Sequence, residues 1–266
     1  MAEIIKRFIK DSVAKSSLIR EIYYFYLSLV PLTEWYVKPQ IKKNIIGIGN
    51  CSDVLDAGCG FGPYSYFMAK LFPKINITAL DFDVTRLKGL QSFSNRLSLN
   101  IKCIQLSLND LNDYQKFDLI LCTDVLEHIE DDIGAMHNLY RALKLNGKLL
   151  VCVPVTPQRR FLPLFKKRQK LCIQEVGHAR EGYTQREIIK TLNNAGFKVE
   201  DVTYAFGFFG SLAYEIYYLS QLKPVLFVFL APIYFILIHP FVLCAMCIDK
   251  ITKIKKGNGI IIVARK

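Results

Sequence analysis

Two carboxylates bracket a glycine turn in this chain, and their types and spacing are those of a ligand-binding corner. Asp56 opens the stretch Asp56-Ala57-Gly58-Cys59-Gly60-Phe61-Gly62, and Asp81 closes the apolar run that follows, with Phe82 beside it. Glycines at alternate positions let the backbone turn sharply and let a ligand approach where a Cβ would intrude. A pyrophosphate seeks backbone N–H groups at a helix N-terminus; an acidic residue at the loop entrance repels it and suits a cationic ligand. Further along, Thr123 and His128 flank Asp124-Val125-Leu126-Glu127, and His178 stands just before Arg180 and Tyr183. A histidine titrates near neutrality and can take a proton from a hydroxyl, while an arginine holds an anionic group through paired hydrogen bonds. A lone histidine at a helix start is as readily structural, its ring tied to a polar neighbour. Cys244 and Cys247 form a single Cys-x-x-Cys in apolar sequence, so no zinc or other metal site is expected.

The elements that must position these residues follow from periodicity. Val54-Leu55 reads as the end of a buried strand, and Tyr64 to Leu71 has helical spacing. Strands are expected at Ile75 to Leu80, Ile101 to Gln105, Phe117 to Thr123, Lys148 to Val153, Phe197 to Tyr204 and Gly259 to Ala264. Between them lie helices over Val84 to Phe93, Asp131 to Leu145 and Gln185 to Asn194. Asn146-Gly147 is expected to end the second of these with a left-handed cap, and Thr184 and Gly196 to cap the third. Alternating strands and helices imply a parallel sheet with helices on both faces, and ligands in such sheets sit beyond the carboxyl ends of the strands.

The block from Val54 to Phe67, taken with Asp81, resembles the first two motifs of class I S-adenosylmethionine-dependent methyltransferases, whose glycine loop reads Asp-x-Gly-x-Gly-x-Gly. Phe117-Asp118 running to Leu126-Glu127-His128 resembles the fourth motif. The motif order is similar to that of the methyltransferase type 11 and ubiquinone-type O-methyltransferase group, over about 52 to 204 and 258 to 266. The resemblance implies a seven-stranded Rossmann-like α/β sheet whose last strand is antiparallel. It implies S-adenosyl-L-methionine as cofactor, its methionine end at Asp56, Ala57, Gly58, Cys59, Gly60 and Gly62. Asp81 and Phe82 would take the ribose side, Leu108 and Asn109 the adenine, and Thr123 the sulfonium end. His178 or His128 would be the base, with Arg180 and Tyr183 on the acceptor side. Two departures stand out: Ser107 occupies a place that is often acidic in the family, and Lys-Leu-Asn-Gly replaces the usual Lys-Pro-Gly-Gly. The glycine spacing is not the Gly-x-Gly-x-x-Gly of nicotinamide enzymes, and no Asn-Pro-Pro-Tyr-like motif for a flipped base is present.

At 266 residues the chain is one domain, or one domain with a sizeable insertion, and it is 52% apolar with a net charge of +12. Basic charge of this kind fits anionic lipid headgroups as well as nucleic acid, and the basic clusters here flank apolar sequence, so nucleic acid is not the expected partner. Cys59, Cys103, Cys122 and Cys152 fall in or beside apolar strands, as free thiols of a reducing cytoplasm do. The N-terminus lacks the clean apolar core and cleavage site of a signal peptide. Residues 1–50 read as a helical lid or amphipathic segment, with Ile4, Ile5, Phe8, Ile9 and Val13 on one face and Trp35 and Tyr36 as lid residues. Residues 51–204 plus 257–266 form the sheet domain, and 205–256 a hydrophobic insertion. Within it, Pro224 to Ile248 carries no charged residue and is followed by Lys250, Lys253, Lys255 and Lys256. The strands on either side must pair, so a single crossing is excluded. A re-entrant hairpin, an in-plane element or two crossings remain. Arg159, Arg160 and Lys166 to Lys170, interleaved with Phe161, Leu162, Leu164 and Phe165, add a second basic stretch. The expected function is methyl transfer to a lipid-soluble or lipid-linked acceptor at the cytoplasmic face of a membrane. A methyltransferase for a soluble sugar or metabolite and a non-catalytic nucleotide-binding membrane protein are the alternatives, and oligomeric state is left open.

Overall fold

A computed structural model describes residues 16–30, 33–162, 179–221, 233–252 and 254–266. The amphipathic stretch before residue 14, the basic run from Lys166 to Lys170, His178, Pro224, Pro232 and Lys253 lie outside those residues.

Seven strands form one sheet: β1 (Asp53–Ala57), β2 (Asn76–Asp81), β3 (Ile101–Gln105), β4 (Phe117–Thr123), β5 (Leu143–Pro154), β6 (Lys198–Ala205) and β7 (Gly259–Arg265). Their order is β3-β2-β1-β4-β5-β7-β6, parallel throughout except that β7 runs antiparallel to both of its neighbours. The chain therefore starts in the middle, winds outward one way through β2 and β3, then returns to β4. The order reverses beside β1, where β1 pairs with both β2 and β4, and a crevice opens at such a point.

Side chains on a strand alternate between faces, and the two cores follow that rule. Leu119 and Leu121 of β4 face α1 (Ser17–Leu29), α2 (Glu34–Ile48), α3 (Pro63–Leu71) and α4 (Val84–Arg96), packing with Ile41, Met68 and Leu90. Ile120 and Cys122 face the other way, against α5 (Asp132–Ala142) and α6 (Gln185–Asn194), with Met136, Leu139, Ile188 and Leu192. The helices start where capping chemistry directs. Pro63 occupies the first turn of α3 and Asp83 accepts from the N–H groups of Thr85 and Arg86 at α4. Thr184 and Glu187 form a reciprocal capping box at α6, and Gly196, at φ 99°, follows its end.

One junction departs from the sequence expectation. The helix after β4 stops at Ala142 rather than Leu145, and β5 begins at Leu143. Leu143 pairs with Phe117, after which the register jumps to Lys148 against Leu119. Asn146 is left-handed, at φ 63°, but it lies within this irregular strand entrance and not at a helix end. Sheet pairing has overridden the local cap signal.

The described residues of the insertion include two helices packed on each other, α7 (Phe208–Gln221) and α8 (His239–Ile251), the latter led in by a π-helical turn at Tyr234–Ile238. They join the same core face as the N-terminal helices through Ala213, Val242 and Met246. Asp249, buried in α8, accepts from the Tyr36 hydroxyl (2.7 Å) and the Gly207 N–H (2.9 Å), tying α2, α7 and α8 together. Glu215 of α7 accepts from the N–H groups of Phe161 and Leu162, at 3.0 and 2.9 Å, clamping the connector after β5. A fully buried carboxylate so satisfied is a protein contact, and it explains why a charge interrupts an apolar helix.

Candidate active site

The glycine turn is built around close approaches. Gly58 and Cys59 both donate to the Leu80 carbonyl, at 2.7 and 2.8 Å, which draws the turn over the end of β2. Gly58 has φ 79°, and a Cβ there would come within 2.3 Å of the Val125 side chain. Gly62, at φ 82°, would meet Leu90 at 2.6 Å. Neither position tolerates a side chain. From behind, α1 holds the turn through Arg20 and Tyr24, which donate to the Phe61 carbonyl at 2.7 and 2.5 Å.

Asp81 braces the turn from in front. One carboxylate oxygen accepts from the Gly60 N–H (2.8 Å) and the other from Asp83 (2.9 Å). Beside it, at the C-terminal ends of β1, β2 and β4, lies a cavity of about 580 Å³. Its walls bring together Gly58, Asp81, Phe82, Leu108, Asn109 and His128, with Ser107, Arg86, Asp124 and Glu130. Asn138 donates to the carbonyls of Leu108 and Asn109, at 3.0 and 2.9 Å, and fixes that wall. Three carboxylates against one arginine favour a cationic guest. The volume lies in the range of roughly 300–1,000 Å³ typical of small-molecule sites.

A second cavity, of about 230 Å³, adjoins the first, and Asp124 belongs to both. Its other walls come from Glu127, from Gln158 and Arg160 of the connector after β5, from Ser211 and Tyr214 of α7, and from Thr33 and Asn258. Asp124 adopts φ 53° and stands on the shared rim. Solvent reaches that side chain, yet protein surrounds it, and burial pushes its carboxyl up to about 6 against an opposing hydrogen bond from Thr33. Glu127 is 2% exposed. Burial first, and then the Asp124 charge, push it up to about 8.

The remaining sequence-chosen residues lie elsewhere. Asp56 is buried, accepts from the Ser65 hydroxyl at 2.6 Å and does not line either cavity. Ala57 and Cys59 are buried beneath the turn, and Gly60 and Gly62 form its outer bend. Thr123 ends β4, 9% exposed. Arg180 donates to Asp132 (2.7 Å) and to the carbonyls of Ile129 and Glu130 (3.1 and 3.0 Å), and Tyr183 donates to the same Asp132 oxygen at 2.7 Å. Both residues thus hold the loop after β4 and line neither cavity. Trp35 lines an outer groove, and Tyr36 is taken up by Asp249. Among the described residues no group of His, Cys, Asp and Glu could hold a metal ion. Sequence reasoning passed over Asp124, Glu127 and Arg160. The signal for the first two was available: carboxylates three apart, just beyond the carboxyl end of a parallel strand.

Residues 55–149 match the family model for a methyltransferase domain. Ubiquinone biosynthesis O-methyltransferase of Xanthomonas oryzae pv. oryzae is 32% identical over 160 residues, 56% of this chain and 64% of that protein. An uncharacterized protein of Methanocaldococcus jannaschii is 38% identical over 100 residues, 38% of this chain and 40% of that one. The chain spans less than two thirds of the length of these curated relatives. In fold it is similar to phosphoethanolamine N-methyltransferase 2 of Haemonchus contortus in complex with S-adenosyl-L-methionine. The TM-score is 0.58 at 18% identity, covering 85% of this chain and 52% of that one. The glycine turn, the strand order and the domain match agree: residues 55–149 form a methyltransferase domain, and the chain is similar to the class I S-adenosylmethionine-dependent methyltransferases.

Proposed function

We propose that the chain transfers a methyl group from S-adenosyl-L-methionine to a lipid-soluble or lipid-linked acceptor at a membrane surface. A prenylated quinol, a polyprenyl-linked sugar or another lipid meets that description. The observation that carries the transferase reading is the pair of adjoining cavities with Asp124 on their shared rim. The larger one suits the donor. Asp81 would accept from the ribose hydroxyls, Phe82 would cover the ring system from the rim, and Leu108 and Asn109 would border the adenine. The glycine turn would take the methionine end, with Thr123 and Asp124 near the sulfonium. Methyl transfer by in-line displacement asks little of the protein beyond alignment of nucleophile, methyl and sulfur. Protein groups therefore position the two guests, exclude water and receive the acceptor's proton. His128, on the wall of the larger cavity, is one candidate for that proton, and His178 is the other.

The membrane part rests on α8. Tyr234–Ile251 is, among the described residues, the helical stretch long and apolar enough to cross a membrane, with 28% of it buried. Its inner stripe, Tyr234, His239, Val242, Met246 and Asp249, packs on the protein, while Leu237, Phe241, Ile248 and Ile251 face outward at helical spacing. Phe241 is 75% and Ile251 84% exposed. A helix docked on one side and apolar on the other fits an in-plane position with its outer face in the headgroup boundary. Leu18, Ile22 and Phe25 of α1 are exposed as well. Lys42 and Lys250 line a groove with Trp35 and Phe67, in which Lys38 is paired with Glu34, and the two remaining lysines suit anionic headgroups. The ubiquinone-biosynthesis relatives support O-methylation of a lipid-soluble acceptor.

Flotation with phosphatidylcholine vesicles, with and without about one third phosphatidylglycerol, tests the surface. The wild type should float with the anionic vesicles and lose most of that binding on Leu237→Asp/Phe241→Asp. A protein that stays at the bottom of the gradient and sediments as a dimer through the same face would replace the lipid acceptor with a soluble one.

A further inference from the structure

Buried polar atoms without a hydrogen-bond partner are few in folded proteins, and each asks for an explanation. Here three of them belong to residues at or near the smaller cavity: Thr123 Oγ1 at the end of β4, Glu127 Oε2 in the turn after it and Arg160 Nε on the connector after β5 are buried and unpartnered. Glu127 and Arg160 line that cavity. Glu127 is fixed where it stands, because its own carbonyl accepts from the N–H groups of Ala179 and Arg180 at 2.8 and 3.2 Å. Leaving such groups unmet costs roughly 1–3 kcal/mol each, more for a charge, so a side-chain rotation that turns the Glu127 or Arg160 group to a guest in the cavity recovers part of that cost.

The lining is mixed: Asp124, Glu127, Gln158, Arg160 and Asn258 set polar groups beside Cys152, Val153, Pro154 and Phe206, and about 230 Å³ admits a single small ring and little more. A ring bearing hydroxyls matches such a lining, and a long isoprenoid tail is too large for it. We propose that the smaller cavity receives the reacting end of the acceptor, that this end is a hydroxyl-bearing polar ring, and that Glu127 takes the hydroxyl's proton. The inference rests on the transferase reading and deepens it. As the acceptor oxygen's lone pair forms the new C–O bond, the donor's C–S bond breaks with its electron pair going to sulfur, and the hydroxyl proton passes to a Glu127 carboxylate oxygen. Charges balance: the sulfonium becomes a neutral thioether and the carboxylate a carboxylic acid.

The groups around Glu127 set when it can act. Asp124 after β4 opposes its ionisation, and the thiols of Cys122 and Cys152 are kept neutral by burial. Tyr183 has its hydroxyl on Asp132, and Arg160 and Tyr214 look in from the far wall. A base whose carboxyl is pushed up to about 8 is an effective proton acceptor near neutral pH, where it is partly ionised and more basic than an ordinary carboxylate.

The test uses methyl-labelled S-adenosyl-L-methionine with a total lipid extract and, separately, an aqueous extract of source cells lacking the gene. Wild-type turnover should climb by about tenfold per pH unit and level off near pH 8. Glu127→Gln should lower turnover by about 100-fold or more and abolish that climb, with donor affinity by calorimetry within twofold. Hot hydriodic acid should release the product's label as methyl iodide, the mark of an O-methyl ether. Arg160→Ala, on the connector after β5, should raise the apparent KM for the extract several-fold with kcat nearly unchanged. The inference is overturned if Glu127→Gln turns over within twofold of wild type, if it loses donor binding, if Arg160→Ala leaves KM unmoved, or if the label resists hydriodic acid. A wild type that binds donor but labels neither extract overturns the transferase reading itself, which is a different outcome.

Discussion

At the scale of single residues, carboxyl groups carry most of the information. Asp56 heads the glycine turn, yet it is buried and tied to Ser65, and burial pushes its carboxyl up to about 6. The folded protein thus holds a proton there that the unfolded chain releases near pH 4. Stability falls where the native state binds more protons than the unfolded one, so Asp56 costs stability progressively as pH rises from about 4 to about 6 and by a constant amount above that. Asp56→Asn should remove that decline, a difference on the order of 3 kcal/mol above pH 6. Urea unfolding at pH 4 and pH 7 checks it: the wild type should lose more stability than the variant between the two. Equal losses would mean that Asp56 titrates as an ordinary surface carboxylate. Asp81 differs because it faces the cavity, and its oxygens keep lone pairs for a guest beyond those engaged by Gly60 and Asp83.

Elements show where sequence pattern was sufficient. β3, β4 and α6 begin and end where periodicity and capping placed them, because Thr184 with Glu187 and the Phe117 to Thr123 run carry strong local signals. Thr184→Ala should cost about 1 kcal/mol through loss of the capping box, readable as a lowered urea midpoint with an unchanged slope. A midpoint within error of wild type would show the cap to be redundant with α6 packing. The β5 entrance failed for the opposite reason. Leu143 and Leu145 satisfy helical and strand spacing alike, and the deciding partner, Phe117, is remote in sequence. The same holds at the site. The corner that joins the glycine turn to Asp81 was legible because Asp56 to Gly62 and Asp81 are local motifs. The smaller cavity was not, since its walls come from Thr33, the turn after β4, the end of β5 and the connector after it, α7 and Asn258. Nor could spacing reveal that Arg180 binds Asp132, 48 positions earlier.

At the scale of the whole molecule, one sheet separates two kinds of surface. One face bears α5 and α6, whereas the other gathers α1, α2 and helices of the insertion. Because α7 lines the smaller cavity with Ser211 and Tyr214 while α8 turns an apolar stripe outward, the two packed helices join the proposed acceptor site to the proposed membrane-facing surface. All of this depends on the guest of the larger cavity being a cationic sulfonium compound. Isothermal titration of the wild type with S-adenosyl-L-methionine and with NADH tests that most directly. The account predicts saturable binding of S-adenosyl-L-methionine, weakened about tenfold or more by Asp81→Ala through loss of charged hydrogen bonds, and no heat from NADH. Saturable NADH binding without a response to S-adenosyl-L-methionine would contradict it.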